Sequence, residues 1–157
     1  MRVLLKTTLD CSADVAWRAI RSPAILQEVV TPWLQFTSLE PGGFPAEWPG
    51  GRHRMRTTLL GVIPAGDEAV DLSYSTRGDV RIQRDSGGAE SGPLAAFHDW
   101  DHRIAISPLP DGRTLYRDQL LAEGPIIAWP AAWAFWQWRA LRLRALAPGW
   151  ATHPALR

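Results

Sequence analysis

The stretch that decides the fold is Trp129-Pro130-Ala131-Ala132-Trp133-Ala134-Phe135-Trp136-Gln137-Trp138-Arg139-Ala140-Leu141-Arg142-Leu143-Arg144-Ala145-Leu146. From about Pro125 to Leu146 its periodicity is helical. Trp129, Ala132, Trp133, Trp136, Ala140, Leu143 and Ala147 fall on one face, flanked by Gln137, Arg139 and Arg144, which suit solvent. Three indoles on one face call for a broad apolar partner and, where buried, an acceptor for each N–H. Pro130 either sits in the first turn of a helix that starts at Trp129 or kinks a longer one. Opposite lie Ala131, Ala134, Trp138, Leu141 and Ala145, so the helix has no polar back. That strip needs cover, either from Pro148-Gly149-Trp150 folding back or from a second copy, a homodimer anchored on Trp138.

Upstream the pattern changes to period two. Residues 2–9 alternate as a strand, and Ser12 then stands at the N-cap position of a short helix through Ile20. Ser22-Pro23 repeats the device for a second short helix ending near Val30, where Pro32 breaks it. The middle of the chain is cut by Gly- and Pro-rich turns into a meander of antiparallel strands, with one long loop at Ser86–Pro93.

Strand register follows from putting apolar residues on one face. A turn centred on Gly61–Gly66 pairs His53 with Tyr74, Met55 with Leu72 and Thr57 with Val70. A three-residue loop at Thr76-Arg77-Gly78 pairs Tyr74 with Val80 and Leu72 with Ile82. A turn centred on Pro110 pairs Ile106 with Thr114, Ile104 with Tyr116 and His102 with Asp118.

Composition narrows the function classes. The 157 residues fit one domain, read as residues 1–150 with a tail at 151–157. A hydrophobic share of 46% supports a core, and a net charge of +1 offers nothing to nucleic acid. Cys11 is the single cysteine, which excludes an intrachain disulfide and fits a reducing compartment. The first residues reach charge too soon for a signal peptide, and Gly124–Trp136 is well short of the roughly 20 apolar residues that span a bilayer. A cytoplasmic protein without a membrane span is expected. Sixteen of the seventeen basic residues are Arg, a bias that suggests a GC-rich bacterial genome.

The order strand, two short helices, antiparallel strands and one long C-terminal helix resembles the START-like (SRPBCC) superfamily of polyketide cyclase and dehydrase-like, lipid-transport and Bet v 1-like proteins. The residues that carry the resemblance are Leu9-Asp10-Cys11-Ser12-Ala13-Asp14-Val15-Ala16-Trp17, Gly112-Arg113-Thr114-Leu115-Tyr116-Arg117-Asp118, the Gly124-Pro125 break, Trp138-Arg139-Ala140-Leu141-Arg142-Leu143 and Leu146-Ala147-Pro148-Gly149-Trp150. The resemblance implies an α+β helix-grip fold: a curved antiparallel sheet wrapped around the C-terminal helix, with an apolar cavity between them. It implies no particular activity, because members share no catalytic residue and function resides in the site.

The candidate site is therefore built from the residues expected to face that cavity: His53, Met55, Tyr74, His102, Tyr116, Asp118, Trp129, Trp133 and Trp136. His102 and Asp118 are the candidate catalytic pair, since a carboxylate holds an imidazole in one tautomer and poises it as acid or base. The same pair reads more readily as a mutually satisfied polar contact, or as an ion pair at the cavity rim, with no chemistry. The Trp stripe reads as cavity wall or as core filling. His98-Asp99-Trp100-Asp101-His102 looks like a metal cluster, but strand alternation sends the two Asp residues away from the His residues, so no metal and no cofactor is expected. The expected function is binding of a small hydrophobic or aromatic ligand, with cyclase- or dehydratase-type catalysis and a cochaperone-like interaction module as alternatives.

Overall fold

The computed structural model describes residues 1–157. Strand β1 (Arg2–Leu9) leads into helices α1 (Ala13–Ile20) and α2 (Pro23–Val30). Strands β2 (Leu34–Ser38), β3 (Gly51–Leu59), β4 (Ile63–Arg77), β5 (Val80–Asp85), β6 (Gly88–Ala89), β7 (His98–Pro108) and β8 (Thr114–Glu123) follow, and helix α3 (Trp129–Leu146) closes the fold. The sheet runs in the order β1-β8-β7-β5-β4-β3-β2 with β6 beside β4, and every pairing is antiparallel. This is the α+β helix-grip architecture.

Local chemistry sets the helix boundaries. The Ser12 hydroxyl accepts from the Val15 amide at 3.4 Å and caps α1. Ser22, expected to cap α2 in the same way, makes no side-chain cap; Pro23 in the first turn starts that helix unaided. Helix α3 begins at Trp129 with Pro130 in its first turn, after a 3-10 turn at Ile126–Ala128. No kink is needed there, because a first-turn proline lacks only a donor that has no intrahelical partner.

The three hairpins depart from the expected registers. In β3–β4 the chain turns at Leu60-Gly61-Val62, and Gly61 adopts a φ of 73°; His53 then pairs with Val70 and Met55 with Glu68. In β4–β5 a two-residue Gly78-Asp79 turn replaces the expected three-residue loop, so Tyr74 faces Gln83 and Leu72 faces Asp85. That odd shift turns Ile82 away and brings Gln83 and Asp85 inside, because strand side chains alternate. The preference of a tight glycine turn outweighed apolar matching. In β7–β8, Ile104 pairs with Asp118 and His102 with Leu120. This shift is even, so His102 and Asp118 stay on one face as diagonal neighbours.

Two segments expected to be loose are packed. The 86–93 loop supplies β6 and leads into a 3-10 turn at Pro93–Ala96. Gly92, with a φ of 75°, lies so close to the strand that a Cβ there would meet the Ala65 carbonyl oxygen at 2.3 Å. Residues 151–157 continue as 3-10 turns, with Leu156 against the main core and the His153 ring bonded to Glu28 at 2.9 Å.

The buried apolar residues form separate patches. The largest joins Leu9, Ala16, Ile25, Ile106, Leu143 and Trp150 between α1, the lower half of α3 and the sheet. A second gathers Val3, Leu120, Ala122 and Trp136, and a third Trp48, Met55 and Leu72. Trp150, expected over the outer strip of α3, is instead 1% exposed within the largest patch. Trp150→Ala is expected to cost about 3–5 kcal/mol in chemical denaturation, from lost burial and the cavity left behind. Trp133→Ala, at a residue 46% exposed, is expected to cost less than about 1 kcal/mol.

Candidate functional site

A cavity of about 870 Å³ lies between the sheet and α3. Its walls are mostly apolar, among them Val29, Met55, Leu72, Phe135, Trp136 and Trp138. Trp33, Leu60 and Ile63 also line it and are themselves exposed, which marks the side on which it meets solvent. Its few polar side chains are Glu68 on β4, Gln83 and Asp85 on β5, His102 on β7, Tyr116 on β8 and Arg139 on α3.

Beneath one wall sits the Asp118 carboxylate, fully buried. His102 Nε2 lies 2.8 Å from Oδ1, the Tyr116 hydroxyl donates to Oδ2 at 2.8 Å and Trp136 Nε1 donates to Oδ1 at 3.2 Å. Arg139 Nη1 stands 3.5 Å from Oδ2, with its guanidinium over the Trp136 ring at 5.1 Å. Burial by itself would raise the Asp118 pKa. The electrostatic pull of His102 and Arg139, with the bonds from His102 and Tyr116, outweighs it and holds the carboxyl well below the usual carboxylate range. An ionised carboxylate only accepts, so His102 Nε2 carries the hydrogen and Nδ1 is left without a partner in the chain. Burial, then the Asp118 charge, pushes the Tyr116 hydroxyl well above its ordinary pKa, so it stays protonated and donates.

Four of the expected site residues therefore meet the cavity directly, namely Met55, His102, Tyr116 and Trp136, with Asp118 directly behind them. The others lie elsewhere. His53 borders a shallower surface recess and bonds through Nε2 to the Pro49 carbonyl at 3.0 Å. The Tyr74 hydroxyl donates to the Trp48 carbonyl at 2.9 Å, and Arg21 lies over its ring. His53 and Tyr74 are no longer a cross-strand pair once the β3–β4 turn tightens.

Trp133 is exposed because α3 is rotated about its axis toward Arg139, and Trp129, in line with the buried Trp136, is 36% exposed at the first position of the helix. Arg139, expected on the solvent flank, is buried against Asp118, and this pulls the neighbouring arc of the helix inward. Trp138 packs edge-on against Trp33 at 6.2 Å and lines the cavity, as do Ala131 and Ala134. The anchor expected for a homodimer thus has an intrachain partner, and the strip shows outward Leu141, 61% exposed, beside Ala131, Ala134 and Ala145.

The sequence reading missed Glu68, Gln83, Asp85 and Arg139. Gln83 and Asp85 depended on the β4–β5 register, which the Gly78 turn sets, whereas Glu68 shares the expected inner face of β4 by alternation with Val70 and Leu72. Arg139 depended on a buried anion contributed by another element.

At the start of β7 a bulge puts Asp99 at a φ of 52° and breaks the alternation expected for 98–102. It brings ligand atoms of His98, Asp99 and Glu123 within 4.8 Å of one another, all on exposed residues. This is the one grouping in the fold with metal-ligand chemistry, and β8, not the local motif, completes it.

No protein-family model matches the chain, and no curated protein matches it by sequence. Solved structures do. A structural-genomics protein from Chromobacterium violaceum superposes with a TM-score of 0.64 at 19% identity, over 93% of this chain and 96% of that one. A hypothetical protein from Helicobacter pylori gives 0.68 at 11% identity, over 94% and 88%. The Aha1 dimer from Colwellia psychrerythraea, solved in solution, gives 0.60 at 9% identity, over 94% and 96%. The chain shares their sheet plus C-terminal helix fold. At such identities the likeness concerns the fold alone.

The Asp118 cluster makes a stability prediction with a definite sign. Its folded pKa lies below the unfolded value, so its stabilisation is complete above the ordinary carboxylate range and is lost as pH falls from about 4. Asp118→Asn is expected to cost about 3–5 kcal/mol at neutral pH, because it leaves Arg139 buried without its anion. The variant's denaturation midpoint, measured against pH, is expected to show a flatter acid limb than the wild type.

Proposed function

We propose that the protein is a START-like cavity protein that binds a small, largely apolar or aromatic molecule between the sheet and α3. The observation that carries this is the cavity itself, about 870 Å³ of mostly apolar wall with polar groups on only a few strands and one helix position. Such a space matches the size and lining of small-molecule sites, where sparse polar groups orient a ligand that apolar walls hold. A chain this size filling its core to normal density would not leave it. No helix is long and apolar enough to cross a membrane. The lone Cys11, whose thiol burial pushes up to about 11, suits the cytoplasmic location that completes the proposal.

Native mass spectrometry of the protein purified from its own cells is expected to show a retained small molecule, released on denaturation. In vitro, apolar probes are expected to quench Trp fluorescence, with Trp33, Trp100, Trp136 and Trp138 on the cavity wall. Ala134→Trp points a large ring into the space from an exposed helix position and is expected to weaken probe binding about tenfold or more. Unchanged affinity in a folded variant would overturn the proposal.

A second reading is favoured by the Asp118–His102 pair. With Nε2–H held by the carboxylate, Nδ1 is free to exchange a proton with a ligand, the arrangement that general acid–base catalysis needs. The check is exchange of the α-protons of bound 2-decanone in deuterated water, followed by NMR. Acceleration by the wild type that His102→Gln abolishes supports catalysis. Exchange at the solvent rate overturns it and leaves binding alone.

A further inference from the structure

The outward face of α3 and the turn beside the cavity opening form an apolar surface that nothing in the chain covers. The residues that α3 shows to solvent are tryptophan, proline, alanine and leucine, with Arg144 the only charge among them. Ile126 and Ile127, in the turn just before the helix, are 89% and 88% exposed. At Trp138 the helix meets Trp33 edge-on at 6.2 Å, and the Trp33 carbonyl accepts from the Leu60 amide at 2.9 Å. The exposed β3–β4 turn, with Leu60, Val62 and Ile63, is thereby joined to the helix on the side where the cavity opens. A water-facing surface rarely keeps so continuous an apolar area unless something docks there.

The charge beside this surface is of one sign. Residues 124–157 contain Arg139, Arg142, Arg144 and Arg157 and no Asp or Glu, in a chain whose net charge is only +1. Arg139 is paired with Asp118. Arg144 is exposed and pairs with no carboxylate, and Arg142 lies over the Trp138 ring at 6.0 Å and donates to the Glu28 backbone carbonyl at 3.1 Å. The Glu28 carboxylate is itself bonded to His153. The β3–β4 turn adds no charge, since residues 59–66 are Leu59-Leu60-Gly61-Val62-Ile63-Pro64-Ala65-Gly66.

We propose that this surface docks on an anionic lipid bilayer, with the outward face of α3 in the plane of the interface and the cavity opening turned toward the acyl chains. Indole rings settle at the boundary between head groups and acyl chains, where the ring is covered and its N–H stays wet. Arginines beside such a face lay their stems over it and reach the lipid phosphates. A second copy docked by the same face brings no acid to Arg142 or Arg144. A protein partner would meet a face whose polar side chains are Gln137 and Arg144, whereas protein interfaces carry a polar rim. A bilayer is also the reservoir from which an apolar ligand would enter the cavity.

The experiment is co-sedimentation of the full chain, without added ligand, with two kinds of vesicle: phosphatidylcholine alone, and phosphatidylcholine with about a third phosphatidylglycerol. Binding to the anionic vesicles is expected to be about tenfold or more tighter, to weaken as salt is raised, and to bring quenching of Trp fluorescence by brominated acyl chains. Trp133→Glu, at an exposed position outside the cavity wall, is expected to lower that affinity about tenfold. Arg144→Glu is expected to lower the preference for anionic vesicles at least about threefold. Should Trp133→Glu fail to fold by circular dichroism, Leu141→Glu carries the same test. Equal binding to both vesicles, binding to neither, or undiminished binding by a folded Trp133→Glu or Leu141→Glu overturns the assignment. So does a dimer in lipid-free sedimentation that Leu141→Glu dissociates, which gives the face to a second copy. No cavity ligand enters the measurement, so its failure leaves the cavity reading intact.

Discussion

The buried Asp118 carboxylate is the constraint around which the rest is arranged. An anion taken out of water requires donors at short range, since the desolvation cost is several kcal/mol for an unsupported ion. Here they come from three elements: His102 on β7, Tyr116 on β8 itself, and Trp136 and Arg139 on α3. Because Trp136 and Arg139 must both reach one carboxylate, the azimuth of the helix against the sheet is set. Apolar packing alone would leave it free to roll toward its larger indoles. The roll that results places Trp133 in solvent and Trp138 on the cavity wall.

The cavity follows from the same geometry. The helix is tied to β8 at Asp118 and to α2 through Arg142, which donates to the Glu28 carbonyl at 3.1 Å. Beyond these ties the sheet continues through β5, β4 and β3. Phe135, Trp136 and Trp138 reach the space from α3 without filling it, and Ala131, Ala132 and Ala134 leave gaps between them. The room that results is more than a closely packed interior would tolerate. Both the polar cluster that positions the helix and the polar side chains of β4 and β5 open into that room, with Asp85 directly opposite His102 across β5–β7.

The legibility of the site depended on parity. The β7–β8 register differs from the apolar-matching expectation by two residues, an even step, so His102 and Asp118 still share a face and still bond. In β4–β5 the difference is odd, and it exchanged Ile82 for Gln83 and Asp85. Apolar matching misled there because the two-residue Gly78-Asp79 turn fixed the register, and the inner face of β5 borders a cavity that accepts polar side chains. Arg139 was unreadable for a related reason. A guanidinium in a helix reads as a solvent flank unless the anion that draws it inward is known, and that anion lies 21 positions away on another element.

By itself the sequence determined the elements and their order: the period-two strands, the Ser12 cap, the Pro23 helix start and the length of α3. These are consequences of local sterics and hydrogen bonding, which a few neighbouring residues set. It also put His102 and Asp118 on one face of the sheet, through alternation within each strand and a β7–β8 shift that was even. Only the tertiary structure decided the rotation of α3, the residues that wall the cavity and the turning inward of Gln83 and Asp85 on β5. Those depend on where a buried charge finds its donors and on how tight turns fix register, and both are settled between segments far apart in the chain.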